Sequence, residues 1–538
     1  MLRIGTEAGV GPLSFAPGGS VADILRPTTF RVRQPCGGRG GCGGCRVRVT
    51  QGIAGDPTSI ERRHLTPEEL RRGTRLACQL IPAGDMTVEI VDPASSWREL
   101  GADEYAPVSP GLPSAVSAHP VGLGIAVDLG TTEIRVSAWD MPGRRRLAGC
   151  SGPNPQAGFG ADVLTRLGTA SRSPEDAAMI GRIARDAIGD AIGEVLRIGR
   201  LDRSEVCRVV IVGNTAMLAL LTEEGGDTLL DPNSWSREVH CNVSDELAWL
   251  QAWGLSENAH IEVVRPLAGF VGSDLLAGVL ATGMTEGPAK TLLIDFGTNS
   301  EIAVWDGTTL WVTSTPGGPA FEGCGTDIGV PAEAGAVFRV RPHDAAGNFS
   351  YEVIGGRPPR GLCGSALVDV IVCLVRDGRL KKTGNFAPQV GDDGVVVVKG
   401  EPDLVLRKRD VDAFQRAKAA TGAGTTCLLE EAGIASGALE RVYVCGAFGR
   451  FLDVANAQEV GLLPGAVLPE RFELWGNAAL AGCELLLFAA GGATCLERIR
   501  ARARLVNLAQ VRGFDDRFVE SLYLEPIGEP RIAKDERT

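Results

Sequence analysis

Polar and apolar residues alternate in two short stretches near the N-terminus, Arg46-Val-Arg-Val-Thr50 and Met86-Thr-Val-Glu-Ile-Val91. A period of two puts every second side chain on one face, so each stretch predicts a half-buried strand. Farther along the pattern changes. Gly124-Ile-Ala-Val-Asp128, Arg208-Val-Val-Ile-Val-Gly213, Thr291-Leu-Leu-Ile-Asp295 and Arg441-Val-Tyr-Val-Cys-Gly446 are apolar runs that stop at an aspartate or a glycine. Such runs predict strands covered on both faces, as in α/β layers. Helical stretches are expected between them, over 174–197 and 411–432. No short-period repeat appears. Residues 94–120 lack any pattern and are rich in Pro, Ser, Ala and Gly, the composition of a flexible linker. The expected division is therefore a unit over 1–93, a linker over 94–120, a middle part over 121–205 and a C-terminal part over 206–538.

Length supports several domains, since 538 residues exceed one ordinary core. No basic head followed by an apolar core opens the chain. The longest apolar stretch, 478–493, is interrupted by Glu484 and is too short to span a bilayer, so a cytoplasmic protein with no membrane role is expected. Fourteen scattered cysteines argue against a disulfide framework in that setting. The net charge of −12 hides an asymmetry: residues 1–100 hold thirteen arginines, no lysine and ten acids, leaving the remainder at −15. An acidic body argues against nucleic acid as a partner. Arg31, Arg33, Arg39, Arg46 and Arg48 could steer an acidic redox partner or simply solvate the surface.

Candidate chemistry starts with Cys36, Cys42, Cys45 and Cys78. The first three stand in Cys36-Gly-Gly-Arg-Gly-Gly-Cys42-Gly-Gly-Cys45, and the fourth follows 33 residues later. Three clustered thiolates plus a distant one suit a [2Fe–2S] cluster of ferredoxin type, with the glycines letting backbone N–H groups approach the sulfurs. A structural zinc site would normally show two Cys-x-x-Cys knuckles, and one is present.

A second chemistry comes from an internal echo. Val127-Asp128-Leu-Gly130-Thr131-Thr132 is matched 167 residues later by Ile294-Asp295-Phe-Gly297-Thr298-Asn299. Each is a strand ending in an aspartate, then a glycine turn with hydroxyl or amide side chains. Glycine lets N–H groups meet phosphate oxygens, and the carboxylate can hold Mg²⁺ or orient water. A third turn, Cys445-Gly446-Ala-Phe-Gly449, follows at a strand end. No Walker A loop and no dinucleotide fingerprint competes. The five histidines read as surface or loop residues, and Gly361-Leu-Cys363-Gly-Ser365 reads as a helix start.

The order of the three turns resembles the phosphate-1, phosphate-2 and adenosine segments of the superfamily of sugar kinases, chaperone ATPases and actin. The whole chain resembles the reductive activators of corrinoid proteins. Further matches are Asn154-Pro-Gln156, Gly160-Ala-Asp162-Val-Leu-Thr-Arg166, Val212-Gly-Asn214-Thr-Ala-Met217, Gly269-Phe-Val-Gly272-Ser-Asp274, Gly318-Pro-Ala-Phe-Glu322-Gly323, Gln415-Arg-Ala-Lys418 and Gly461-Leu-Leu-Pro464. Leu218, Ser300, Cys324 and Cys445 depart from the family's pattern.

The resemblance implies an α/β multidomain fold: a β-grasp [2Fe–2S] ferredoxin domain, a linker, then an actin-like ATPase of two RNase-H-like lobes. It implies ATP and Mg²⁺ as cofactors beside the cluster. Asp128, Asp295 and Glu322 become candidate catalytic residues. Gly130, Thr131, Thr132, Gly297, Thr298, Asn299, Gly446 and Gly449 become the nucleotide cradle. The implied activity is ATP-dependent one-electron reduction of Co(II) to Co(I) in a corrinoid protein of a methyltransferase system. An upstream ferredoxin, flavodoxin or reductase would supply electrons, and a homodimer stays open. Two other readings stand beside it: an ATP-driven electron donor to another low-potential metalloenzyme, and a ferredoxin-like carrier with a non-catalytic docking body.

Overall fold

The computed structural model describes residues 1–6, 9–13, 18–26, 28, 30, 32–34, 36–40, 43–91, 97–101, 104–106, 121–160, 162–317, 320–321, 325–344, 347–391, 393–446, 448–488 and 493–527. Strands β1 (Leu2–Thr6), β2 (Gly9–Leu13), β3 (Arg46–Gln51), β4 (Thr74–Leu76) and β5 (Met86–Ile90) form a five-stranded sheet in the order β2-β1-β5-β3-β4. β1 and β5 run parallel, Leu2 opposite Met86, and the hairpin pairs around them are antiparallel. The alternation in the sequence sets the register: Val47, Met86 and Val88 point into the core with Leu2, Ile4 and Leu25. Behind β4 the Arg75 guanidinium donates to both oxygens of the fully buried Glu61, at 2.8 Å each. Burial pushes the Glu61 carboxyl up, but hydrogen bonds from Arg75 and the Thr58 and Leu76 N–H groups outweigh it and leave it below its ordinary value. Removing either partner would strand a charge in the core, at a cost of about 3–5 kcal/mol.

Two larger sheets carry the rest, and they share one plan. The first has β11 (His260–Val263), β10 (Val206–Gly213), β7 (Leu123–Leu129), β8 (Glu133–Asp140), β9 (Arg145–Pro153) and β6 (Arg98–Glu99), in that order. The second has β21 (Phe472–Leu474), β20 (Arg441–Cys445), β12 (Thr291–Phe296), β13 (Ser300–Trp305), β14 (Leu310–Thr315) and β22 (Ala503–Leu505). In each, a central strand starts an antiparallel meander on one side and receives a parallel strand on the other. The echo in the sequence is thus a duplicated lobe, with Asp128 and Asp295 at equivalent positions near the ends of β7 and β12. Smaller sheets formed by β15 (Ala336–Pro342), β16 (Phe349–Val353) and β17 (Gly361–Leu362), and by β18 (Val395–Val398) and β19 (Leu404–Leu406), elaborate the second lobe.

Helices Ser273–Thr282 and Ala478–Phe488 pack against each other between the lobes. At Gly482 a Cβ would meet the Ala277 carbonyl oxygen at 1.9 Å, so glycine is what lets these helices touch. The expected helices appear as Pro174–Gly199 and Lys408–Glu431. No helix among the described residues is long and apolar enough to cross a membrane.

Two expectations need correction. The border at 205/206 cuts the first lobe, because β10 begins at Val206 and pairs in parallel with β7. A buried run at the edge of a predicted unit looks the same whichever sheet it joins. Part of the expected linker is docked. Arg98 and Glu99 pair with Ser151 and Cys150 on β9, Leu100 donates to the Gly149 carbonyl, and Tyr105 bridges to Asn477. Trp97, Leu100 and Tyr105 supply apolar grip that an averaged Pro/Ser/Ala composition conceals. Residues 94–96, 102, 103 and 107–120 lie outside the described residues.

Candidate functional site

Antiparallel pairing builds the cysteine site. Arg46 faces Leu76 across β3 and β4, so Cys45, just before β3, lies beside Cys78, just past β4. The Ala77 N–H donates to the Cys45 carbonyl at 2.7 Å and fixes that approach. Cys36 and Cys45 are buried, and Cys78 is half-buried. Gly37, Gly38, Gly40 and Gly43 all have positive φ, between 60° and 81°, which folds the loop back over its own thiols. A hydrogen bond from Cys45 holds the Cys78 thiol below its ordinary value against burial, and Gln79 Nε2 adds a donor at 3.6 Å from Cys78 Sγ. Neighbouring thiols, one of which meets an amide donor, fit an iron–sulfur centre. Cys42 lies outside the described residues. His64 is not a surface histidine. Its Nε2 sits 3.0 Å from the Gly40 carbonyl oxygen, and a Cβ at Gly43 would meet its ring.

The nucleotide turns face each other across the cleft between the lobes. Thr132 Oγ1 lies 2.8 Å from Thr298 Oγ1, although 166 residues separate them. The cleft is lined by Asp128, Gly130, Thr131, Asp295, Gly297 and Asn299 together with those two threonines. Matches noted beyond the turns brace the first one: Asn154 Nδ2 donates to the Gly130 carbonyl at 2.8 Å, and buried Arg166 Nη1 donates to that of Thr131 at 2.7 Å. Gly446 closes the far wall. Its φ is +90°, and a Cβ there would stand 2.3 Å from the Phe296 carbonyl oxygen. Gly449 opens the short turn Gly449–Phe451 behind it. Helix Gly364–Arg376 starts at Cys363, as expected, and Cys363, Gly364 and Ser365 line the same cleft. Glu322 lies outside the described residues.

The electrostatics suit a bound cation. Burial raises the Asp128 carboxyl above its ordinary value, opposed by Arg135 and by Asn477 Nδ2, which donates to Asp128 Oδ2 at 2.6 Å. Burial, with Asp128 nearby, pushes Asp274 up to about 7. Burial, with Asp274 and Asp295 nearby, holds Glu301 well above the carboxylate range. Like charges crowded in a dry cleft are stabilised by a bound cation. Among the described residues no three His, Cys, Asp or Glu side chains form a metal cage alone. Mg²⁺ typically takes one or two carboxylates plus phosphate oxygens and water, and Asp128 and Asp295 line this cleft.

Asp274, Glu301 and Asn477 were absent from the sequence-derived site. Asp274 closes one of the matched motifs and Glu301 follows the second phosphate turn by two residues, so both carried a readable signal. Asn477 gave none: it lies 349 residues from the carboxylate it serves. Asp274 sits in the first turn of one interlobe helix, and Asn477 caps the other through a 2.7 Å bond from the Leu480 N–H, so both positive helix ends open on the cleft. Of the departures, Cys445 is a core residue of β20, Leu218 is buried in helix Thr215–Thr222 and Ser300 lies within hydrogen-bond reach of Thr421. None alters a cleft side chain named above, and Cys324 lies outside the described residues.

Comparison with known proteins agrees with this layout. Residues 289–532 match the model for the C-terminal domain of RACo, the ASKHA domain. Residues 123–287 match the RACo middle region, and residues 11–83 a 2Fe-2S iron-sulfur cluster binding domain. The corrinoid activation enzyme RamQ of Eubacterium limosum is 32% identical over 439 residues, covering 76% of this chain and 71% of that protein. The [Co(II) methylated amine-specific corrinoid protein] reductase of Methanosarcina barkeri is 25% identical over 399 residues, covering 66% and 68%. A solved structure titled reductive activator for corrinoid,iron-sulfur protein superposes with a TM-score of 0.66 at 24% identity, covering 98% of both chains.

Proposed function

The chain belongs to the family of corrinoid activation enzymes, and from that premise we propose that it uses ATP to reactivate a corrinoid protein, adding one electron to Co(II) to give Co(I). The observation that supports this most is the meeting of Thr132 and Thr298, 2.8 Å apart, in a chain that also folds a ferredoxin-type cysteine loop. A redox unit and a two-lobed phosphate cleft in one molecule answer an energetic problem. A plant-type [2Fe–2S] centre sits near about −400 mV. The Co(II)/Co(I) couple is expected lower still, and each 59 mV of shortfall costs roughly tenfold for one electron. ATP hydrolysis can offset that gap.

When bound, the cluster supplies the electron and Mg²⁺ neutralises phosphate charge. Cys36, Cys42, Cys45 and Cys78 would hold the first; Asp128 and Asp295 would hold the second and orient the attacking water. Thr131, Thr132, Thr298 and Asn299 grip the phosphates, with Glu322 as a further polar participant, and the Gly446 and Gly449 turn borders the adenosine. Asn477 keeps the Asp128 carboxylate aimed into the cleft. Water oxygen bonds to the γ-phosphorus as the bond to the ADP oxygen breaks, releasing ADP and phosphate. Closing the lobes on ATP reshapes the surface that holds the Co(II) protein and changes the cobalt's ligation, and one electron then passes from the redox unit to Co(II). An upstream ferredoxin, flavodoxin or reductase restores that electron.

ATP turnover measured with and without a Co(II) corrinoid protein tests this reading. Stimulation of at least about tenfold is expected, as for an enzyme whose lobes close on both partners. A chain with no ATP turnover in either case would instead be a carrier with a docking body.

A further inference from the structure

The ferredoxin unit does not hang free of the ATPase. It sits at the mouth of the nucleotide cleft and touches both lobes. On the first lobe, Arg26 lies over the Phe159 ring at 5.7 Å, and Arg39 of the cysteine loop is 3.9 Å from Asp162. On the second, Arg33 pairs with Glu333 at 3.2 Å and Arg63 with Asp327 at 3.5 Å. The docked strap adds Arg98, which pairs with Glu104 at 2.7 Å and reaches Glu133 at 3.5 Å, next to the first phosphate turn. Arg33, Arg98, Glu133 and Glu333 therefore bring redox unit, strap, first lobe and second lobe together on one rim, and all four line the nucleotide cleft. The charge asymmetry of the sequence has found its partner within the chain: the arginine-rich unit docks on the acidic body. Arg46 and Arg48, by contrast, face Glu69 and Glu89 of their own unit.

We propose that the ferredoxin unit is a nucleotide-responsive clamp: docked across both lobes it holds them at one angle, and nucleotide that closes the lobes releases it toward the corrinoid partner. The inference rests on the ATP-dependent reading above. A rigid unit gripping two moving bodies fits one spacing between them, so any closure loosens one of its two sets of contacts. Because Arg39 belongs to the cysteine loop, its approach to Asp162 turns that side of the loop toward the first lobe in the docked unit. Linkage makes the effect reciprocal: if nucleotide weakens docking, docking weakens nucleotide binding by the same factor, about 5–150-fold for typical couplings.

The test measures the affinity of the full cluster-loaded chain for a non-hydrolysable ATP analogue with Mg²⁺, in wild type, Arg63→Ala and Arg26→Ala. Neither variant residue lines the cleft, and the visible cluster spectrum reports that the redox unit remains folded. Both variants are expected to bind the analogue at least about fivefold tighter. In wild type about 0.5 M salt should recover much of that gain by screening the ion pairs. Small-angle scattering should show wild type expanding when the analogue is added. Equal affinity in all three proteins with no expansion would overturn the clamp and leave the ATPase reading standing. Absence of analogue binding in all three would overturn both.

Discussion

Asp295→Asn is expected to lower ATP-dependent Co(I) formation by about two to three orders of magnitude, a typical loss when one preorganised electrostatic group leaves a dry site. The carboxylate stands near the end of β12 where the two phosphate turns meet, and the cleft needs its charge once a metal–nucleotide complex arrives. An amide of the same shape keeps the packing and removes the charge. The same substitution should leave the thermal midpoint unchanged or raise it. Burial already holds Asp128, Asp274 and Glu301 above their ordinary values, and Asp295 is one of the carboxylates that push Glu301 up, so one fewer negative charge relieves the cleft. A stable variant with an intact visible spectrum and no ATP-driven reduction separates chemistry from folding. Wild-type reduction rates in Asp295→Asn would remove this residue from the mechanism.

Cys45→Ser is expected to take reduction to background by a different route. Cys45 is buried beside Cys78, next to the β3–β4 pairing that builds the site, and its hydrogen bond is the main influence holding the Cys78 thiol low. A serine there offers a poor ligand to an iron–sulfur centre, even though its hydroxyl can still reach Cys78. The visible absorption of the purified variant should fall to baseline, while affinity for the ATP analogue stays within about tenfold of wild type; any gain within that range reflects a loosened clamp. Asp295→Asn and Cys45→Ser thus fail in opposite halves of the molecule, and mixing them should restore nothing if one chain must carry both functions. A variant that kept a full cluster spectrum would show that Cys45 is no ligand.

Local patterns carried the sequence reading far. Alternation at 46–50 and 86–91 marked strands whose faces the structure confirms, and the repeated Asp-x-Gly-Thr turn exposed the duplicated lobe. Each of those signals lies within a few residues, where backbone geometry dictates residue type. What escaped is non-local. Asn477 reaches Asp128 because an interlobe helix begins there, a fact of lobe packing that no short window contains. The strap at 97–106 escaped because three large side chains lie among small residues. The lobe border escaped because β10 is an ordinary buried strand until its neighbour β7 is known. His64 looked like any loop histidine until the Gly40 and Gly43 backbone closed around it.

The most direct test of the account is a visible absorption trace of a Co(II) corrinoid protein mixed anaerobically with this protein and a one-electron reductant, with and without ATP. The account predicts a Co(I) band that forms with ATP and stays absent without it. Equal Co(I) formation in both samples, or a reducible iron–sulfur spectrum with no Co(I) in either, would contradict it.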